Sequence, residues 1–226
     1  MLPMMVVVQV MLGAGMALGF GFLFDNPSQQ EALYLSTGAT VVPMMTLGLV
    51  MLPQVVAQQK IEGTYDYIFS LPIPRMAMYF AGLTVWSVIA LPSAVMALAV
   101  AAWRYDLELS IDPLALPAAV LVVMVASTVG YGFAHAIPNP RLTNVLTQLL
   151  IFVVILFSPV NFPAERLPGW LQAVHAWLPA QHSALVMRGT LTDGLVTGGL
   201  GESFAILGVW AVGSWLVAKW VIGRRG

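Results

Sequence analysis

The sequence of 226 residues has no cysteine. That excludes disulfides, thiolate metal sites and a cysteine nucleophile, and is silent about compartment. Charge is nearly as scarce: 8% of residues are charged, against about 25% in a soluble domain. The net charge of −1 leaves no polybasic surface for nucleic acid. The two lysines, Lys60 and Lys219, stand outside any Gly-Lys-Ser/Thr context, so a Walker phosphate loop is missing. No Gly-x-Ser-x-Gly, His-Glu-x-x-His or intramembrane aspartate pair appears. His135, His175 and His182 are scattered, whereas a metal site needs three or four converging ligands. No catalytic chemistry is legible, and no cofactor is expected on this chain.

What is present is apolar. Hydrophobic residues make up 59% of the chain, and the mean hydropathy is +0.87. The sequence reads as an all-α polytopic membrane protein, a single transmembrane domain over residues 1–226. About 20 apolar residues cross a bilayer as a helix. Six spans can be placed: Met4 to Phe24, Leu33 to Ala57, Met76 to Ala102, Leu116 to Ala136, Leu142 to Phe157 and Phe204 to Ile222. Pro43 and Pro53 are expected to kink the second. The first is a full span with no preceding positive charge, so it is not read as a cleaved signal peptide. No charged residue falls deep in a span, which argues against a proton relay or ion coupling.

The stretch from Asn144 to Arg188 organises the rest. An apolar helix runs to Phe157 and then meets Pro159, Pro163, Pro168 and Pro179. Each proline removes a backbone donor and clashes with a preceding carbonyl, so one helix cannot continue. Two short aromatic pieces, Trp170 to Trp177 and Gln181 to Met187, are each too short to span. They read as a re-entrant pair within residues 158–193, broken where protein or water satisfies the backbone.

With the N-terminus inside, the inner side holds Lys60, Arg75, Arg141, Lys219, Arg224 and Arg225. Arg104, Arg166 and Arg188 fall outside. Excess Lys and Arg marks the cytoplasmic face, so both termini are expected in the cytoplasm. Phe24, Tyr34, Trp103, Tyr105, Trp170, Trp177 and Trp220 sit near the water boundaries, where amphipathic rings anchor.

In the inner loop 58–75, Ile61, Tyr65, Ile68 and Phe69 recur at helical spacing, with Glu62, Thr64 and Asp66 on other faces. A short interfacial helix resting on lipid and a docking element for a cytoplasmic partner fit this pattern equally. Inside the spans, Gln9 stands alone. Thr143, Asn144, Thr147 and Gln148 share one helix face. Such groups either bond between helices or line a polar path. Gly15 and Gly19 form a small-xxx-small pair, which fits an internal contact or a subunit seam.

Together these features resemble the permease subunit of an ABC-2 type exporter over nearly the whole chain. The loop carries Glu62-Gly63-Thr64, then Pro72-Ile73-Pro74-Arg75; after span five come Pro163, Pro168, Trp170, Leu171, Pro179 and Arg188. The chain departs from the family pattern at Leu178-Pro179, where Asn-Pro is usual. The family pattern also sets a basic amphipathic helix before span one, where this sequence reads Met1-Leu2-Pro3 and is already apolar. The resemblance implies a coupling helix at Glu62, Gly63, Thr64, Tyr65, Asp66, Ile68 and Phe69. It implies a gate on the opposite side at Pro159, Pro163, Pro168, Trp170, Pro179 and Arg188. It places spans one and five at a dimer seam, with Gln9, Asn144, Thr147 and Gln148 lining the path. The implied partners are cytoplasmic ABC ATPase subunits carrying ATP and Mg, a second permease copy or paralogue, and membrane lipids. The expected cargo is an amphiphilic drug or lipid. Polysaccharide export and a non-transport membrane scaffold are the alternatives.

Overall fold

The computed structural model describes residues 2–23, 28–196 and 198–223. Met1, Phe24, Arg224 and Arg225, which entered the sequence reading, lie outside them. Among the described residues every regular element is helical. Helix α1 covers Leu2–Leu23 and α2 covers Gln29–Thr46. A π-helical turn, Leu47–Met51, leads into α3, Leu52–Ile61. Then follow α4 (Thr64–Ser70), α5 (Arg75–Tyr105), α6 (Ala115–Ala136) and α7 (Pro140–Phe157). A 3₁₀ turn, Ala164–Arg166, precedes α8 (Gly169–His175), α9 (Pro179–Leu191) and α10 (Leu200–Gly223). Five helical stretches are long and apolar enough to cross a membrane: Gln29–Ile61, Met76–Tyr105, Ala115–Ala136, Pro140–Phe157 and Leu200–Trp220. In α1 the apolar part is Pro3–Gly19.

The second span is the hub. In Gln29–Ile61, 78% of the apolar window is buried, against 11% in α10. Helices α1, α5, α6 and α9 pack on α2, and α7 packs on α3. Helix α2 starts on a capping box: the Glu31 amide donates to Ser28 Oγ at 3.3 Å, and the Ser28 amide to Glu31 Oε2 at 3.1 Å. Its buried hydroxyls are satisfied within the helix. Ser36 donates to the Ala32 carbonyl at 2.6 Å, and Thr40 to the Ser36 carbonyl at 2.9 Å. A central helix can therefore carry polar residues without unpaired groups.

Between Pro43 and Pro53, the expected kink positions, the helix widens into the π turn. Pro53 has no N–H to give back to the preceding turn, and a wider turn accommodates that. The same turn carries Gly48 against α6. A Cβ on Gly48 would lie 2.5 Å from the Ala126 carbonyl carbon and from the Ser127 amide nitrogen; one on Gly130 would collide with the Gly48 carbonyl oxygen. The two backbones touch there, which only glycine permits.

Glycine use in α1 is divided. Gly13 is the packed one, where a Cβ would meet Ala97 Cβ at 3.0 Å. Cβ positions on Gly15 and Gly19 meet nothing within 4 Å, so among the described residues that pair makes no close contact.

Candidate functional site

Three sets of side chains lie along the hub. Tyr34 and Lys60 are 26 residues apart on one nearly continuous helix, about 40 Å at 1.5 Å per residue. They mark its opposite ends.

At the Lys60 end, α3 stops at Glu62, whose Oε1 accepts from Gln58 Nε2 at 2.7 Å. Gly63 has φ +75°, and a Cβ there would meet nothing, so glycine is required for the backbone angle alone. The chain reverses into α4. Tyr65 turns inward, 7% exposed, with Phe69 packed on it at 4.5 Å between ring centroids. Lys60 Nζ donates to the carbonyls of Ala134 at 2.5 Å and Ile137 at 2.9 Å. These carbonyls close α6, where a cation is favoured. Nζ also lies 5.5 Å from the Tyr65 ring centroid. A ladder of rings continues into the bundle. His135 is 5.6 Å from Tyr65 and stacks on Tyr131 at 4.0 Å; Tyr131 meets Tyr79 edge-on at 5.3 Å. The Tyr79 and Thr128 hydroxyls are 2.6 Å apart.

The coupling set expected from sequence therefore divides in two. Tyr65 faces the bundle, with Ile68 and Phe69 half-buried; Glu62, Gly63, Thr64 and Asp66 are exposed. Two residues escaped the sequence reading. Tyr67 is 65% exposed on the outer side of α4. Lys60 was read as part of a loop after Ala57, yet α3 runs on to Ile61. Its signal was its rarity and its position five residues before Tyr65.

At the Tyr34 end, α9 is tied down from several sides. Arg188 is 2% exposed. Its Nε donates to Thr37 Oγ1 at 3.2 Å and its Nη2 to the Val160 carbonyl at 2.8 Å. Its guanidinium lies 3.9 Å from the Tyr34 ring centroid. A buried cation is tolerable when hydrogen bonds and an aromatic face replace water. Asn161 packs onto Gly38 of α2, where any side chain would collide with its Oδ1. The Trp210 indole donates to the Trp177 carbonyl at 2.7 Å, while His182 Nδ1 lies 3.1 Å from Ser203 Oγ; both tie this region to α10. Ser110 and Asp112 amides donate to the Leu191 and Thr190 carbonyls. An exposed pair, Arg166 and Glu31 at 3.7 Å, closes the rim.

The gate residues named from sequence also occupy different roles here. Pro159 and Arg188 are buried, Pro163 and Pro179 are half-buried, and Pro168 and Trp170 are exposed. Trp170 and Trp177, 70% and 75% exposed, fit the anchor reading. Tyr34 does more than anchor, since it stacks on Arg188. Likewise the Tyr105 hydroxyl donates to the Ala17 carbonyl at 3.0 Å.

The polar residues between the two ends do not form one lining. Gln9 is 1% exposed, its amide 3.0 Å from the Met51 sulfur. Thr143 and Thr147 are buried, and both hydroxyls donate to carbonyls of their own helix. Asn144 and Gln148, one position round, are exposed. With Gln54 and Gln58 of α3 they border a groove of about 550 Å³. A second recess, about 780 Å³, lies at the Tyr34 end, with Leu35, Ile155, Leu156 and Phe162 on its apolar wall and Gln30, Glu31 and Arg166 at its rim. Among the described residues no three His, Asp or Glu side chains converge as metal ligands.

A bundle of this kind, with a short helix turned against one end and a broken helical pair locked to the other, defines a multi-pass all-α membrane protein. The chain belongs to the ABC-2 type transporter family, whose family model matches residues 3–192. It is thus an ABC exporter permease, the membrane-embedded partner of ABC ATPase subunits, and no ATPase domain is indicated in it. A search of curated proteins returns no match.

Proposed function

We propose that this permease moves an amphiphilic, lipid-like or drug-like cargo outward across the cytoplasmic membrane, with the α4 end and both termini in the cytoplasm. The observation that carries this reading is the construction of α4. It turns one tyrosine into the bundle and presents Glu62, Thr64, Asp66 and Tyr67 outward for a partner. A cytoplasmic ATPase docks on that exposed set. ATP and Mg are bound by the ATPase. Closure of two ATPases displaces α4, and Lys60 and the ring ladder pass the displacement to α6 and α5. ATP must favour one arrangement over the other by its differential affinity for the two.

Two copies, identical or paralogous, pack with their α1 and α7 faces toward the path. The exposed amides of Asn144 and Gln148 support this, because in lipid they would lack partners. Amides at one end of α7 and an apolar wall with a charged rim at the other suit cargo that is part polar and part greasy.

The chain has no native cysteine, so single labels report sidedness directly. Tyr67→Cys should react with a membrane-impermeant maleimide only from the cytoplasm, and Trp170→Cys only from outside. Labelling of both from one side would sink the reading. Co-purification of the ATPase should be lost in Asp66→Lys and retained in Trp170→Ala.

A further inference from the structure

We propose that the recess between α4 and the bundle is a binding site for a small, uncharged molecule of one or two fused aromatic rings. The recess has a volume of about 240 Å³. Six rings line it: Tyr65 and Phe69 from α4, Tyr79 and Trp86 from α5, Tyr131 and His135 from α6. Flat apolar guests are matched by such walls through offset and edge-on ring contacts. An apolar cavity of about 150 Å³ accepts benzene, so this one has room for a second fused ring.

Charge selects against ionic guests. Among the described residues no carboxylate, guanidinium or ammonium lines the recess. Lys60 lies beside the Tyr65 ring, and it would repel a cationic ligand. The wall also carries Gln59, whose amide suits one ring N–H or hydroxyl.

The space is also not a by-product of close helix packing. Gly82 of α5 lies in the wall, and a Cβ there would meet nothing within 4 Å. At Gly48 and Gly130 a backbone forbids the side chain; at Gly82 nothing does. An occupant would touch both α4 rings and both α6 rings, and so would fix how far α4 stands from the bundle. That consequence rests on the coupling role proposed above, whereas the binding does not.

The test uses the full chain in lipid nanodiscs with 5-fluoroindole as probe, followed by fluorine NMR. Binding should be saturable. Gly82→Leu, which fills the recess, should weaken it at least tenfold, and Gly82→Ala should weaken it by less. Gly132→Leu adds the same side chain to another open glycine, on the α6–α10 groove, and should bind as wild type. Circular dichroism and gel-filtration profiles establish that each variant is folded. If Gly82→Leu does not fold, the graded loss in Gly82→Ala carries the test. Non-saturable uptake equal in all variants, or equal loss in Gly82→Leu and Gly132→Leu, would overturn the proposal. So would full displacement of the probe by a saturated fatty acid, which would assign the recess to an acyl chain. Loss of ATPase co-purification is measured separately. An Asp66→Lys chain that still binds the probe but keeps its ATPase would sink the coupling role and leave the site standing.

Discussion

At one end of the bundle α9 is held by a buried guanidinium to α2, by His182 to α10, and by backbone hydrogen bonds to the loop after α5. At the other, α4 meets the bundle through two rings and the neighbouring lysine. The two kinds of attachment differ in what they cost to break. Pulling Arg188 from its site strands a buried carbonyl and a buried cation, and each hydrogen bond to a charged group is worth about 1.5–3 kcal/mol. A ring pair contributes only about 0.5–1.5 kcal/mol beyond its buried area. On these magnitudes the hydrogen-bonded attachment of α9 is the stronger of the two.

Arg188→Met is the strongest test of that contrast. It should destabilise the protein by about 3 kcal/mol or more, read as a lower Tm in detergent and faster proteolysis within residues 158–193. Arg188→Lys keeps the charge but not the fork, and should recover only part of the loss. An unchanged Tm in Arg188→Met would erase the contrast.

Lys60→Met should cost less in global stability, about 1–3 kcal/mol, because the Ala134 and Ile137 carbonyls lose their donor. Its larger effect should fall on coupling: the ATPase still binds, but cargo no longer stimulates its turnover. Equal Tm losses in Lys60→Met and Arg188→Met would show the two ends to be equally rigid.

A smaller effect is expected for Gly63→Ala, about 1–2 kcal/mol, from forcing a Cβ into the left-handed region. Hydrogen exchange should rise in residues 58–75 and stay unchanged in 158–193.

The smallest concerns the rim. Glu31 pairs with Arg166 at 3.7 Å and both side chains are exposed, so the pair is worth little. Glu31→Gln should lower the Tm less than Gly63→Ala does. A larger loss in Glu31→Gln would show the rim to be a structural tie.

Much of the architecture was legible because the bilayer constrains it. Runs of about 20 apolar residues, prolines that stop a helix and amphipathic spacing in a loop are local features. They located five of the six expected spans, the broken pair and α4 to within about a turn. Polar periodicity at α7 gave the face but not its burial. Positions 143, 144, 147 and 148 share a helix face by spacing, and packing buries Thr143 and Thr147 while Asn144 and Gln148 stay exposed. The small-residue pair in α1 was visible, yet the glycine that makes the contact within the chain is Gly13.

The sequence by itself determined that this is a multi-pass helical membrane protein with a turned helix at one loop and a broken one at another, since hydrophobicity and proline act within a single helix. Only the tertiary structure decided that span two is the hub, that Arg188 is buried beneath Tyr34 and that Lys60 caps a helix more than 70 residues away in sequence. Those outcomes depend on which surfaces meet, and the free energy of burying a charge or a ring is fixed by neighbours distant along the chain.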